Sequence, residues 1–176
     1  MSKKLILLDA YALIYRAHFA FIKNPRINSK GLNTSAIFGF CNSLLEVTNK
    51  FDPSHIGVVF DPPGGSDREG VFADYKANRQ EMPEDIRKAI PHIFDLLKAM
   101  NIKVEMEEGF EADDVIGTLA KQAEKKGFET YMMTPDKDFG QLVSDHIFIY
   151  KPGRSGNPSE ILGPKEVCEK FEVKNP

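Results

Sequence analysis

Apolar positions cluster in five short runs, residues 5–8, 56–60, 104–106, 130–133 and 147–150, each bounded by acidic or turn residues and each of strand rather than helix length. Between them the period changes to that of a helix. Ile86, Ile90, Ile93 and Leu97 fall on one stripe, Pro83, Glu84 and Asp85 suit the start of that helix, and Pro91 inside it predicts a kink. The pattern predicts a second helix over about residues 34–50 and a third over about 111–126, the latter stopped by Gly127 just past the C-cap. After Tyr150 the sequence turns loop-like, KPGRSGNPSE, before a short helical stretch at 164–171.

Strands alternating with helices favour an α/β fold, a mostly parallel central sheet covered by helices on both faces through right-handed crossovers. With 41% hydrophobic and 28% charged residues in a chain of 176, one buried core and a single domain spanning 1–176 are expected. Phe19, Phe21, Phe38, Phe40, Phe51 and Phe94 sit among apolar neighbours and are expected in that core. Two stretches resist assignment: residues 23–33, rich in Asn and Gly, and the long charged segment 61–82 that opens with Asp-Pro-Pro-Gly-Gly. A long loop inside a compact α/β domain is usually functional or disordered.

Other features narrow the chemistry. No apolar stretch approaches the ~18 residues of a membrane span, and the opening MSKKLILLDA carries an Asp where a signal peptide stays apolar, so a cytoplasmic protein with no membrane association is expected. Cys41 and Cys168 stand alone, and His18, His55, His92 and His146 are scattered, which argues against a zinc site or a disulfide framework. No Gly-rich loop ending in Gly-Lys-Ser/Thr follows a strand, so a P-loop nucleotidase is unsupported. Asp9-Ala10-Tyr11 lacks the second Asp of a phosphatase that forms an aspartyl phosphate.

The acidic residues fall where this fold class builds sites, beyond the carboxyl ends of strands. Asp9 ends the first expected strand, Asp61 the second, Asp136 and Asp138 follow the fourth, and Glu111, Asp113 and Asp114 begin a helix. Each has an ordinary explanation. Carboxylates in a first helical turn cap free amides and favour the macrodipole, and an Asp after a strand is often a turn residue. Taken together, seven carboxylates on one rim would repel one another unless a cation were present. Oxygen-only ligands point to Mg²⁺, with Mn²⁺ as a substitute, and two such ions about 4 Å apart can clamp both sides of a phosphodiester displacement. Setting those seven aside turns the formal charge of −3 into +4 for the rest of the chain, so a metallated site need not repel a polyanion.

Four segments carry a more specific signal: LLDAYALIYRA at 7–17, VVFD at 58–61, FEADDVIGTLA at 110–120 and TPDKDFGQLV at 134–143. In order and spacing they resemble the 5′–3′ exonuclease domain of bacterial DNA polymerase I. Tyr75-Lys76-Ala77-Asn78-Arg79 with Met82-Pro83 resembles the basic arch of that family, here about residues 62–82, and Leu162-Gly163-Pro164 resembles its region beyond the sheet. The resemblance implies a PIN-like, resolvase-like 5′-nuclease core, a substrate of DNA 5′ flaps or 5′ ends, and hydrolysis assisted by two metal ions. By the same resemblance, Asp9, Asp61, Glu111, Asp113 and Asp114 would surround the first ion, and Asp136 and Asp138 would hold part of the second. The family's remaining ligands and its helix–hairpin–helix element lie in a later segment that residues 1–176 are expected to lack, and polymerase domains follow in the longer relatives. Pro135 stands where many relatives carry Gly, and Ala10 rather than Gly follows Asp9; neither change removes a ligand.

The resemblance also assigns basic residues. Arg16, on the first helix, becomes a phosphate contact, and Lys76, Arg79 and Arg16 together would neutralise the scissile phosphate. Tyr75, Lys76 and Arg79 have the spacing of one helical face, which offers a ring for an unpaired base to stack on beside two cations. A solvated loop explains them equally well from sequence alone. Lys137, between two proposed ligands, would touch phosphate or neutralise local charge. Two rivals remain: a PIN-like ribonuclease with the same acidic rim, and a fragment that binds metal and DNA without cutting.

Overall fold

The computed structural model describes residues 3–63, 81–153 and 157–176. Its elements, in chain order, are β1 (Lys3–Asp9), α1 (Ala10–Ala20), α2 (Ser35–Phe51), β2 (His55–Val59), α3 (Glu84–Ala99), β3 (Lys103–Glu105), α4 (Ala112–Lys125), β4 (Phe128–Met133), a 3₁₀ turn (Asp138–Leu142), β5 (Ile147–Lys151), β6 (Glu160–Leu162) and α5 (Pro164–Phe171). The strands form one six-stranded sheet in the order β3-β2-β1-β4-β5-β6. Every pairing from β3 to β5 is parallel, and β6 runs antiparallel on the edge.

Strand alternation divides the interior into two cores, because successive side chains leave opposite faces of a sheet. Ile6 and Leu8 of β1 join Tyr131 and Met133 of β4 on one face, packed by α1, α2 and α3 through Leu13, Phe40, Leu44, Ile86 and Ile93. Leu7 and Met132 point the other way, against Ile116 and Ala120 of α4 and Val167 of α5. Both faces of the central strands are therefore buried, which is why β1 reads as a continuous apolar run rather than an alternating one.

Helix boundaries follow local chemistry. Lys126 caps α4 and Gly127 follows with φ +76°, the left-handed conformation that the sequence predicts at that position. The helix α3 continues through Pro91 to Ala99, so the expected kink does not break it; Pro91 is exposed, and the carbonyl that loses its partner there can face water. A Cβ built on Gly39 of α2 would stand 2.5 Å from the Ala17 Cβ of α1, so these two helices cross as closely as they do because residue 39 has no side chain.

Three expectations need correction. Glu160, at the end of the stretch expected as loop, and Leu162, expected beyond the sheet, belong to the edge strand β6, paired through Ile149–Leu162 and Tyr150–Ile161. Phe19 is 51% and Phe38 39% exposed, not core; Phe38 and Phe21 instead flank the guanidinium of Arg26, at 4.3 and 5.0 Å from their ring centres. Phe40 and Phe51 are buried as expected. The segment expected as an arch lies largely outside the described residues.

The topology determines where a site can form. From β1 the chain moves outward to β2 and β3, then returns through α4 to β4 on the other side of β1. In such open sheets the crevice beyond the carboxyl ends of the strands at this reversal is the natural binding position. Here it lies between the ends of β1 and β4, next to Asp9 and Thr134.

Candidate metal centre

Asp9 is the last residue of β1 and the N-cap of α1, its Oδ1 accepting the Ala12 N–H at 3.2 Å. Its other oxygen accepts the Thr134 hydroxyl at 3.0 Å across the switch point. Burial pushes the Asp9 carboxyl up to about 6; those two hydrogen bonds oppose the rise, while the charges of Asp61 and Asp136 add to it. Carboxylates from the ends of three adjacent strands thus share one electrostatic neighbourhood.

Asp61 lies two residues beyond β2 and accepts the Ala112 N–H through Oδ1 at 2.7 Å, tying this strand end to the first turn of α4. Glu111, buried at 6% exposure, is the N-cap of that helix, and its own N–H donates to Asp114 Oδ2 at 3.3 Å. The Asp114 N–H donates to Asp113 Oδ1 at 2.8 Å. After β4, the Asp138 N–H donates to Asp136 Oδ1 at 2.9 Å and starts the 3₁₀ turn. Asp113, Asp114, Asp136 and Asp138 line one open groove of about 810 Å³ between α4 and this turn, which continues past Thr118, Lys121 and Lys125.

Capping and turn formation therefore occupy Asp9, Asp61, Asp114 and Asp136, the ordinary role that the sequence allowed for each. That role does not use up a carboxylate, which has two oxygens and about four lone-pair positions. Oδ2 of Asp61 and Oδ2 of Asp136 have no hydrogen bond among the described residues. Among the described residues no three His, Cys, Asp or Glu side chains form a ready-made cage. The donor set is all oxygen, with hardness and charge that suit a divalent cation such as Mg²⁺.

The family model for the N-terminal resolvase-like domain of 5′–3′ exonucleases matches residues 4–172. The chain belongs to this 5′–3′ exonuclease family. DNA polymerase I of Chloroflexus aurantiacus is 43% identical over 157 residues, 89% of this chain but 17% of the polymerase. The 5′–3′ exonuclease of Aquifex aeolicus is 38% identical over 171 residues, 97% of this chain and 57% of that protein. The chain thus spans a minor part of the polymerases and somewhat over half of the separate exonuclease. Among solved structures, T5 5′-exonuclease with bound divalent metal ions (zinc) superposes with a TM-score of 0.73 at 16% identity, covering 98% of this chain and 62% of that one. The catalytic core of Rad2 in complex with DNA substrate gives 0.56 at 18% identity, covering 98% and 51%. At these identities the structural likeness establishes the shared fold.

Other residues of this exonuclease-family chain add to the picture of the carboxylates. Arg16, expected to face the rim, donates through Nη2 to the carbonyls of Pro152 and Gly153 at 3.0 and 2.5 Å, which ties α1 to the segment after β5. Lys137 is exposed between Asp136 and Asp138. Tyr75, Lys76 and Arg79 lie outside the described residues. Two rim residues escaped the sequence analysis. Thr134 is fully buried against Asp9 although it belongs to the TPDKD segment. Lys151, at the end of β5, has its ammonium pushed down by burial and by Lys170, while Glu160 and Asp136 oppose that shift. A Lys at the carboxyl end of a strand beside an acidic loop was the available signal. Among the described residues no helix is long and apolar enough to cross a membrane.

Proposed function

We propose that this chain is the catalytic core of a metal-dependent 5′ nuclease that hydrolyses phosphodiester bonds at DNA 5′ ends and 5′ flaps. The supporting observation is the meeting of Asp9, Asp61 and Asp136 from three strand ends, close enough that two of the charges raise the pKa of the third. Carboxylates held in mutual repulsion, one of them largely withdrawn from water at Asp9, favour a cation among them.

In this proposal Asp9, Asp61, Glu111, Asp113 and Asp114 hold one Mg²⁺, and Asp136 and Asp138 supply part of the ligand set of a second; Mn²⁺ substitutes. The bound ions would supply Lewis-acid stabilisation of the developing charge and a water of lowered pKa. The protein's contribution is orientation. The backbone donors at Ala12, Ala112 and Asp138 fix one oxygen of Asp9, Asp61 and Asp136, so each carboxylate presents a defined second edge. No side chain acts as a covalent nucleophile. Lys76, Arg79 and Lys137 would neutralise phosphate and Tyr75 would stack on an unpaired base. Arg16, its Nη2 held by the carbonyls of Pro152 and Gly153 beyond the end of β5, would join them from that side.

The test is a substrate panel. Labelled 5′-flap DNA, blunt duplex DNA and single-stranded RNA are incubated with the protein in Mg²⁺, in Mn²⁺ and in EDTA. The proposal expects cleavage of the flap in either metal, none in EDTA, and RNA cut much more slowly. RNA cleaved faster than flapped DNA would show a ribonuclease instead.

A further inference from the structure

Thr134 has no exposed surface, yet its hydroxyl stands between two backbone segments that carry proposed ligands. Oγ1 donates to Asp9 Oδ2 at 3.0 Å and accepts the Asp136 N–H at 3.2 Å. The direction of this relay is fixed by chemistry. A backbone N–H can only donate, so the Thr134 oxygen receives it as acceptor and turns its single proton toward Asp9. Asp136 in turn accepts the Asp138 N–H. One buried hydroxyl therefore joins the end of β1 to the loop after β4, across the reversal point of the sheet.

We propose that Thr134 is a positioning residue that fixes the Asp9 carboxylate relative to the Asp136–Asp138 loop, and so sets the spacing between the two groups of metal ligands. The inference rests on the metal-dependent function proposed above. Thr134 itself touches neither metal nor substrate; it acts through Asp9 and Asp136. Replacing its hydroxyl by a methyl group leaves a buried carboxylate oxygen without that donor and the Asp136 N–H without its acceptor. Serine keeps both bonds and loses only a methyl group. Partners that orient metal ligands in this way are typically worth about ten- to a hundred-fold in metal affinity.

The experiment compares wild type, Thr134→Val and Thr134→Ser in Mn²⁺ binding, followed by calorimetry and by the electron paramagnetic resonance of free Mn²⁺, with melting in EDTA recorded alongside. Thr134→Val is expected to bind Mn²⁺ about ten- to a hundred-fold more weakly, with Thr134→Ser near wild type. In flap cleavage, Thr134→Val is expected to lower kcat and leave KM for DNA unchanged. If Thr134→Val does not fold, Thr134→Cys, a weak donor and acceptor of similar size, carries the same expectation of weakened binding. Wild-type affinity in the valine or cysteine variant overturns the proposal, as does a serine variant as impaired as the valine one, since packing of the methyl group would then explain the effect. A wild-type protein that binds no Mn²⁺ overturns the metal-dependent function, and this inference with it.

Discussion

Asp9→Asn should stabilise the metal-free protein while removing a proposed ligand. The folded state raises the Asp9 carboxyl from its ordinary 3.8 to about 6. At ~1.4 kcal/mol per pK unit, that is about 3 kcal/mol of stability lost when Asp9 ionises. The sign follows from proton binding: the folded chain holds the Asp9 proton more tightly than the unfolded chain. The contribution is therefore fully present below about pH 4, falls as the pH rises toward 6, and is absent above it. Asparagine stays neutral, remains a good N-cap and keeps an oxygen for the Ala12 N–H. Its new bond with Thr134 is less favourable by on the order of 1 kcal/mol. The net gain at pH 8 is then about 1–3 kcal/mol, or roughly 2–10 °C in Tm for a domain of this size. Circular dichroism melts of both proteins in EDTA at pH 4, 6 and 8 measure it. An asparagine variant that melts below wild type at pH 8, or an offset that does not change between pH 4 and 8, would refute the reasoning.

Other outcomes follow from packing and linkage. Helix propensity alone would make Gly39→Ala stabilising by about 1 kcal/mol, but the 2.5 Å approach to the Ala17 Cβ should reverse that to a net loss of about 1–2 kcal/mol; urea unfolding should show the loss, and adding Ala17→Gly should recover it. Phe40 is fully buried in the core beneath α1, α2 and α3, so Phe40→Ala should cost about 3–5 kcal/mol in the same assay. Saturating Mg²⁺ at a hundred times its Kd should raise wild-type stability by about 2.7 kcal/mol. The same addition should leave Asp9→Asn nearly unmoved, as read from melts with and without EDTA.

The features legible in the sequence were those set by burial and by chain chemistry. Strands β1, β2, β4 and β5 are buried on both faces, so their apolar runs survive in the sequence, and Gly127 announced the end of α4 through the conformation that only glycine adopts easily. The edge strand β6 has three residues and two exposed positions, too short for any period to register. Helix α1 is apolar nearly all round, so its sequence does not determine which face meets the sheet; Phe19 could therefore be misplaced into the core. The carboxylates were legible because they sit at strand ends and at the start of a helix. Thr134 was not, since a threonine at the end of a β-strand is ordinary until its partners across the sheet are known. Capping and the proposed metal binding are compatible, because the bonds that make these residues caps and turns also orient them.

Cleavage of an end-labelled 5′-flap duplex by the protein and by its Asp61→Ala variant, in Mg²⁺ and in EDTA, tests the central claim most directly. The wild type should cut in Mg²⁺ and not in EDTA, and the variant should lose at least about a hundredfold, since Asp61 joins β2 to the α4 carboxylates and is a proposed ligand of the first ion. Cleavage by Asp61→Ala at the wild-type rate, or cleavage by wild type that persists in EDTA, would contradict it.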